Sequence, residues 1–129
     1  MSREHRIVNP PELPEPSGYA HAVVAASGTT VYLGGQTGTG ATVAAQFDAA
    51  ADSLVTALRA AGGQPDDLVS LVVYATDLDE YRAAMTEIGA VWRRHFGRRY
   101  PATALVGVSA LADPDARVEL MAVAVVANG

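Results

Sequence analysis

The chain contains no cysteine. Disulfides, thiolate nucleophiles and cysteine-ligated zinc are therefore excluded. It contains no lysine either: all nine basic residues are arginine. That removes Schiff-base chemistry on a lysine, and with it the usual attachment of pyridoxal phosphate. Three histidines, His5, His21 and His95, are scattered and form no H-x-x-x-H pair, so no zinc site is expected. GGQTGTG, residues 34–40, has glycines but neither the lysine nor the strand-turn-helix spacing of a phosphate loop. A G-x-S-x-G elbow is missing as well, which argues against a serine hydrolase. No metal and no cofactor is expected.

Long apolar runs are also missing, so no membrane span is expected. The opening stretch MSREHRIVNPPELPEP lacks the apolar core of a secretory signal, so export by that route is not expected and a cytoplasmic location is. A net charge of -5 argues against a general nucleic-acid surface. The local exception is WRRHFGRRY, residues 92–100, with Arg93, Arg94, Arg98 and Arg99. It reads as a solvated helix end, where the helix dipole favours cations, against an anion-recruiting patch.

What is present is a chain of 129 residues, half of them hydrophobic and 18% charged. That suits one soluble domain spanning residues 1–129. NPPELPEPSG, residues 9–18, holds four prolines and must be loop. Residues 19–26 and then VYLGGQ read as two strands joined by a turn at Ser27–Thr29, hence a hairpin. Arg6–Val8 can form a short strand before them. From Thr42 to Ala61, Val43, Phe47, Ala50, Leu54, Leu58 and Ala61 recur at helical spacing, and Gly62, Gly63 and Pro65 stop the helix. LVSLVVYAT, residues 68–76, is almost wholly apolar, like a central strand. Asp77 is positioned to cap a second helix, with the stripe Tyr81, Met85, Ile88, Trp92 and Phe96 and a stop at Gly97. Residues 102–111 and 116–127 are two more strands, joined by the turn ADPDA.

The order (β)ββαβαββ predicts an α+β fold: a mixed sheet with both helices on one face. Several strands are apolar on both faces, and two helices cover only one. Oligomerisation through the other face is the simplest remedy. Glu119 stands out as a lone acid among Val118, Leu120, Met121 and Val123. Such a carboxylate is costly to bury unless paired, hydrogen-bonded or protonated. It can pair with Arg117 two residues away, pair across a subunit boundary, or serve as an acid or base in a site. Tyr19, Gly34, Gly35, Gln36 and Thr103 complete the polar and glycine-rich candidates; each is weak alone.

In order and spacing, several segments resemble the Rid family (reactive intermediate deaminase, also called YjgF or L-PSP endoribonuclease). They are GYAHAV (18–23), GGQ (34–36), AAGGQPDDLVSLVVYATDLDEY (60–81), YPATALVGVSAL (100–111) and VELMAVAV (118–125). The resemblance covers nearly the whole chain. It implies a chorismate-mutase-like fold assembled as a homotrimer, with small-molecule clefts between subunits. It further implies hydrolysis of enamine or imine products such as 2-aminoacrylate to a keto acid and ammonia. Glu119 matches the family's water-positioning glutamate. Tyr19, Gly35 and Gln36 match cleft residues; Gly34 stands where the family has serine, and Leu105 at a further cleft position. The family's carboxylate-gripping arginine is replaced by Thr103, and the second helix is about one turn longer. Losing that arginine implies a substrate without an α-carboxylate, another arginine (Arg98, Arg99 or Arg117) in its place, or loss of deaminase activity. Non-catalytic ligand binding is the alternative, and ribonuclease activity a weaker one.

Overall fold

The computed structural model describes residues 4–128. The chain runs β1 (Arg6–Val8), β2 (Ala22–Val24), β3 (Gly28–Gln36), α1 (Val43–Ala60), β4 (Leu68–Ala75), α2 (Leu78–Ala83), α3 (Met85–Phe96), β5 (Ala102–Gly107) and β6 (Val118–Ala127). β1 and β2 form an antiparallel pair, and the other strands form a sheet of order β3-β6-β4-β5. Only β4 and β5 run parallel within that sheet. A parallel pair needs a crossover, which α2 and α3 supply.

Both long helices cover one face, as the periodicity predicts. α1 starts where Thr42 accepts a hydrogen bond from the Ala45 amide at 3.1 Å. It buries Phe47, Ala50, Leu54 and Leu58 against Leu71, Val73, Leu120 and Ala122 of the sheet. Gly62 ends it at φ +92°, in the left-handed region that favours glycine. Asp77 caps α2 by accepting from the Glu80 amide at 3.0 Å.

Strand alternation then fixes the functional geometry. On β6, Val118, Leu120, Ala122 and Ala124 are buried under the helices. Glu119, Met121 and Val123 therefore point to the opposite face. That face carries exposed apolar side chains, with Tyr32 81% and Met121 40% accessible.

Three expectations change. The hairpin at Ser27–Thr29 does not form: β2 pairs with β1 and β3 with β6. Most of β2 is exposed, so no buried face dictates its partner. β3 instead lies tight on β6, where a side chain at Gly28 would collide with the Val126 carbonyl oxygen. The second helix is broken at Ala84, leaving Met85 half exposed rather than in the core. β5 ends at Gly107, short of residue 111.

Candidate functional site

β3 bulges where it passes β6. Leu33 is opposite Ala122 and Gln36 opposite Leu120, so Gly34 and Gly35 together face the single residue between. A bulge re-aims the groups on its strand. Here it brings Gly35 directly against Glu119: a side chain at Gly35 would lie 2.6 Å from Glu119 Oε2. Only glycine lets the carboxylate lie there. Gln36 Nε2 donates to the Gly34 carbonyl at 3.3 Å, tying the bulge to itself. Gly34 faces open space, with nothing within 4 Å of an added Cβ. A serine would fit there without displacing a neighbour.

The Glu119 carboxylate has no hydrogen-bond or ion-pair partner among the described residues. Arg117, the nearest cation in sequence, turns to Glu80 at 3.5 Å and to the Ala41 carbonyl at 3.3 Å. The intra-strand pair with Arg117, one of the three alternatives for this acid, is thus not made. A partly buried carboxylate is left facing the uncovered side of the sheet.

Gln46 holds this arrangement from α1 and is itself buried. Its Nε2 donates to the carbonyls of Gly40 (3.3 Å) and Asp115 (3.2 Å). Its Oε1 accepts from the Arg117 amide at 2.8 Å. One side chain thereby joins the glycine-rich connector, the turn before β6 and the residue two positions before Glu119. Its signal in the sequence is a polar residue next to Phe47 on the apolar stripe of α1.

Tyr19, Thr103 and Leu105 lie elsewhere. β5 is the far edge of the sheet, two strands from β6, which is roughly 10 Å across. Thr103 is opposite Leu71, on the helix-covered face, and Leu105 is opposite Val73. Thr103 lines a surface hollow with Tyr19, His21, Ser70 and Ala104. The structure therefore brings Gly34, Gly35, Gln36 and Glu119 together at one edge, and Tyr19 and Thr103 together at the other. Within one chain it does not join the two groups.

The Thr103 hydroxyl donates to the Pro101 carbonyl at 2.7 Å. Its only proton is committed, so it offers a ligand lone pairs and no donor. Arg99 is bound to the His5 carbonyl at 2.8 Å and pairs with Glu4 at 3.8 Å. Arg117 is engaged as described, and Arg98 is an exposed residue after α3. None of the three lines the hollow at Thr103. His21 does, although no motif singled it out. Its Nε2–H donates to the Pro14 carbonyl at 2.7 Å, and its ring meets Tyr19 edge-on at 5.2 Å.

A second polar cluster joins the helices. Asp48 of α1 contacts His95 at 2.6 Å and Arg94 at 2.7 Å, both on α3. The His95 hydrogen bond, with Arg94 adding to it, holds the Asp48 carboxyl below the usual carboxylate range. No group of three or more metal-ligating side chains occurs among the described residues, and none of their helices is long and apolar enough to cross a membrane.

The family model for endoribonuclease L-PSP matches residues 12–126. A comparison with curated proteins finds no match. Among solved structures, a Rid-family protein of unknown function from Yersinia pestis, YyfB, is 30% identical, with 95% of this chain and 99% of that one covered at TM-score 0.82. Rv2704 of Mycobacterium tuberculosis, from the YjgF/YER057c/UK114 family, is 38% identical, with 84% and 87% covered at TM-score 0.68. RidA from an Antarctic Psychrobacter is 26% identical, with 94% and 99% covered at TM-score 0.67. The chain belongs to the endoribonuclease L-PSP family, whose solved members are also called YjgF and Rid proteins.

Proposed function

We propose that the protein is a cytoplasmic, self-associating hydrolase of small imine or enamine intermediates, with Glu119 as its general base. The observation that carries this reading is the unpaired Glu119 carboxylate over Gly35 on the uncovered sheet face. A carboxylate with no internal partner is free to accept a proton from water. In the reaction, water adds to the imine carbon as its proton passes to Glu119. The proton then moves to nitrogen to give the neutral carbinolamine; a second transfer, of its hydroxyl proton to nitrogen by way of Glu119, breaks the C–N bond and releases ammonia and a carbonyl product. Glutamine at this position keeps the shape and removes the base.

The two groups of candidate residues sit at opposite edges of one sheet. Head-to-tail assembly, β3 edge to β5 edge, completes a cleft from Glu119, Gly34, Gly35 and Gln36 of one copy and Tyr19, Thr103 and Leu105 of the next. A heterologous contact of this kind forms a ring where its rotation closes, and the family resemblance supports a homotrimer as that ring. Thr103 supplies no positive charge and no free donor, so the substrate carries no carboxylate at that end.

The same committed hydroxyl favours a second reading, in which the cleft binds a small molecule without turning it over. One experiment separates them. Freshly generated 2-iminopropionate and a bulkier imine lacking a carboxylate are offered to the protein, and loss of imine is followed by semicarbazone trapping. The expected outcome is turnover of the second substrate in preference to the first, with a drop of about 100-fold or more in Glu119→Gln. Equal rates in Glu119→Gln and wild type overturn the base assignment. No turnover of either imine by an intact oligomer favours the binding reading.

A further inference from the structure

Glu119 has a direct neighbour on the open face. β4 runs beside β6, and in their antiparallel register Tyr74 is opposite Glu119. On β4, Leu71, Val73 and Ala75 are buried under the helices, so Ser70, Val72 and Tyr74 point to the same open face as Glu119. Side chains opposed in this way stand about 5 Å apart at Cβ. Gly35 of β3 flanks Glu119 on one side, and Tyr74 of β4 on the other. The Tyr74 hydroxyl has no hydrogen-bond partner among the described residues. The one buried side-chain nitrogen or oxygen left unpaired there is Nε1 of Trp92, so the Tyr74 hydroxyl reaches the surface with its proton uncommitted. Within the chain no other phenol is so placed. Tyr32 shares the open face but is opposite Val123, four residues from Glu119 along β6, or roughly 13 Å. Tyr19 stands at the far edge of the sheet, and Tyr81 and Tyr100 pack on the helix-covered side.

We propose that Tyr74 is a second catalytic residue, its phenol O–H donating a hydrogen bond to the imine nitrogen while Glu119 takes a proton from the attacking water. This assignment rests on the hydrolase reading and adds the group that handles nitrogen. As the water oxygen bonds to the imine carbon, the π pair of the C=N bond moves onto nitrogen. Nitrogen thereby becomes a stronger acceptor, and the hydrogen bond from Tyr74 strengthens in the transition state, where it lowers the barrier. The phenol keeps its proton throughout, because the protons that reach nitrogen come from the water by way of Glu119. The donor also narrows the substrate to a neutral imine. Such an imine has a nitrogen lone pair to accept with. An N,N-dialkyl iminium ion has none, and an enamine must first take a proton at carbon to become an imine.

Tyr74→Phe keeps the ring and removes only the hydroxyl. With the carboxylate-free imine as substrate, the assembled variant is expected to lose about tenfold or more in kcat while KM stays nearly constant, since the missing bond is strongest in the transition state. Oligomer size and denaturation midpoint should match wild type. An unchanged kcat, or a loss that tracks a fallen midpoint or a broken oligomer, overturns the assignment. A second measurement needs no turnover. Cyclohexanone, ¹³C-labelled at its carbonyl, places an oxygen where the imine nitrogen would lie. Bound to wild type or to Glu119→Gln, its carbonyl stretch is expected to move to lower frequency, and Tyr74→Phe should abolish that shift. A shift in wild type without turnover of any imine removes the hydrolase reading but leaves Tyr74 as the donor of the cleft. The same stretch in wild type and Tyr74→Phe, or no bound ketone, overturns the proposal.

Discussion

At the scale of single residues, the site is set by what is absent as much as by what is present. Gly35 has no side chain, and the Glu119 carboxylate occupies the place a Cβ would take. Gly35→Ala is therefore expected to push the carboxylate aside, which its flexible side chain permits. Imine turnover should fall by about tenfold or more, since a displacement of order 1 Å at a catalytic group costs that much. The denaturation midpoint should stay close to that of wild type; a large fall in stability with turnover intact would show that Gly35 serves the fold alone. Thr103 makes the complementary point. A threonine hydroxyl can donate one hydrogen bond, and here it is spent on Pro101 two residues back. Local bonds of this kind to the backbone cannot be seen in a residue's identity, because they depend on the strand's local path.

At the scale of elements, α1 and α3 are tied by Asp48 with His95 and Arg94. The Asp48 carboxyl is held below its ordinary value, chiefly by the His95 hydrogen bond. A depressed carboxyl stabilises the fold above its unfolded value and loses that contribution as pH falls through the folded one. Wild type should therefore lose urea resistance between about pH 5 and pH 3 more steeply than Asp48→Asn does. Parallel curves for the two proteins would remove Asp48 from the acid response. The elements themselves were largely legible. The stripes of α1 and of Tyr81, Ile88, Trp92 and Phe96 lie in the core as their spacing requires. The cap at Asp77 and the stop at Gly62 are also where local chemistry puts them. The β2–β3 hairpin was not legible, because both segments expose most of their side chains and their partners are chosen by distant strands. The break at Ala84 was hidden because Met85 fits the apolar period, yet its side chain is half exposed.

At the scale of the whole molecule, the split of candidate residues between two sheet edges has a direct test. If each working cleft takes Glu119 from one copy and the Thr103 edge from the next, two inactive variants can repair each other. Glu119→Gln alone and Thr103→Trp alone should both lack turnover. Refolded as a mixture, they should regain a substantial fraction of it, because some clefts then combine an intact Glu119 with an intact Thr103 edge. No recovery in verified mixed oligomers would place both residues in one chain's site. The two-sided apolar strands announced an uncovered face in the sequence, and Tyr32 and Met121 occupy it. Which residues share an edge could not be read there. That depends on strand order, and in the order β3-β6-β4-β5 the last strand of the chain lies between the third and the fourth.

The three hydrogen bonds of Gln46 carry a consequence for strand parity. Side chains on β6 alternate between the helix-covered core and the open face, so a slip of one residue would exchange the two sets. Leu120 would surface and Glu119 would be driven among Leu54 and Leu58. By gripping the Arg117 amide at the entry to the strand, Gln46 fixes which residue comes first. A buried amide on a helix thus acts as a counting device, and it is what assigns the acid, rather than its neighbour, to the side where water can reach it.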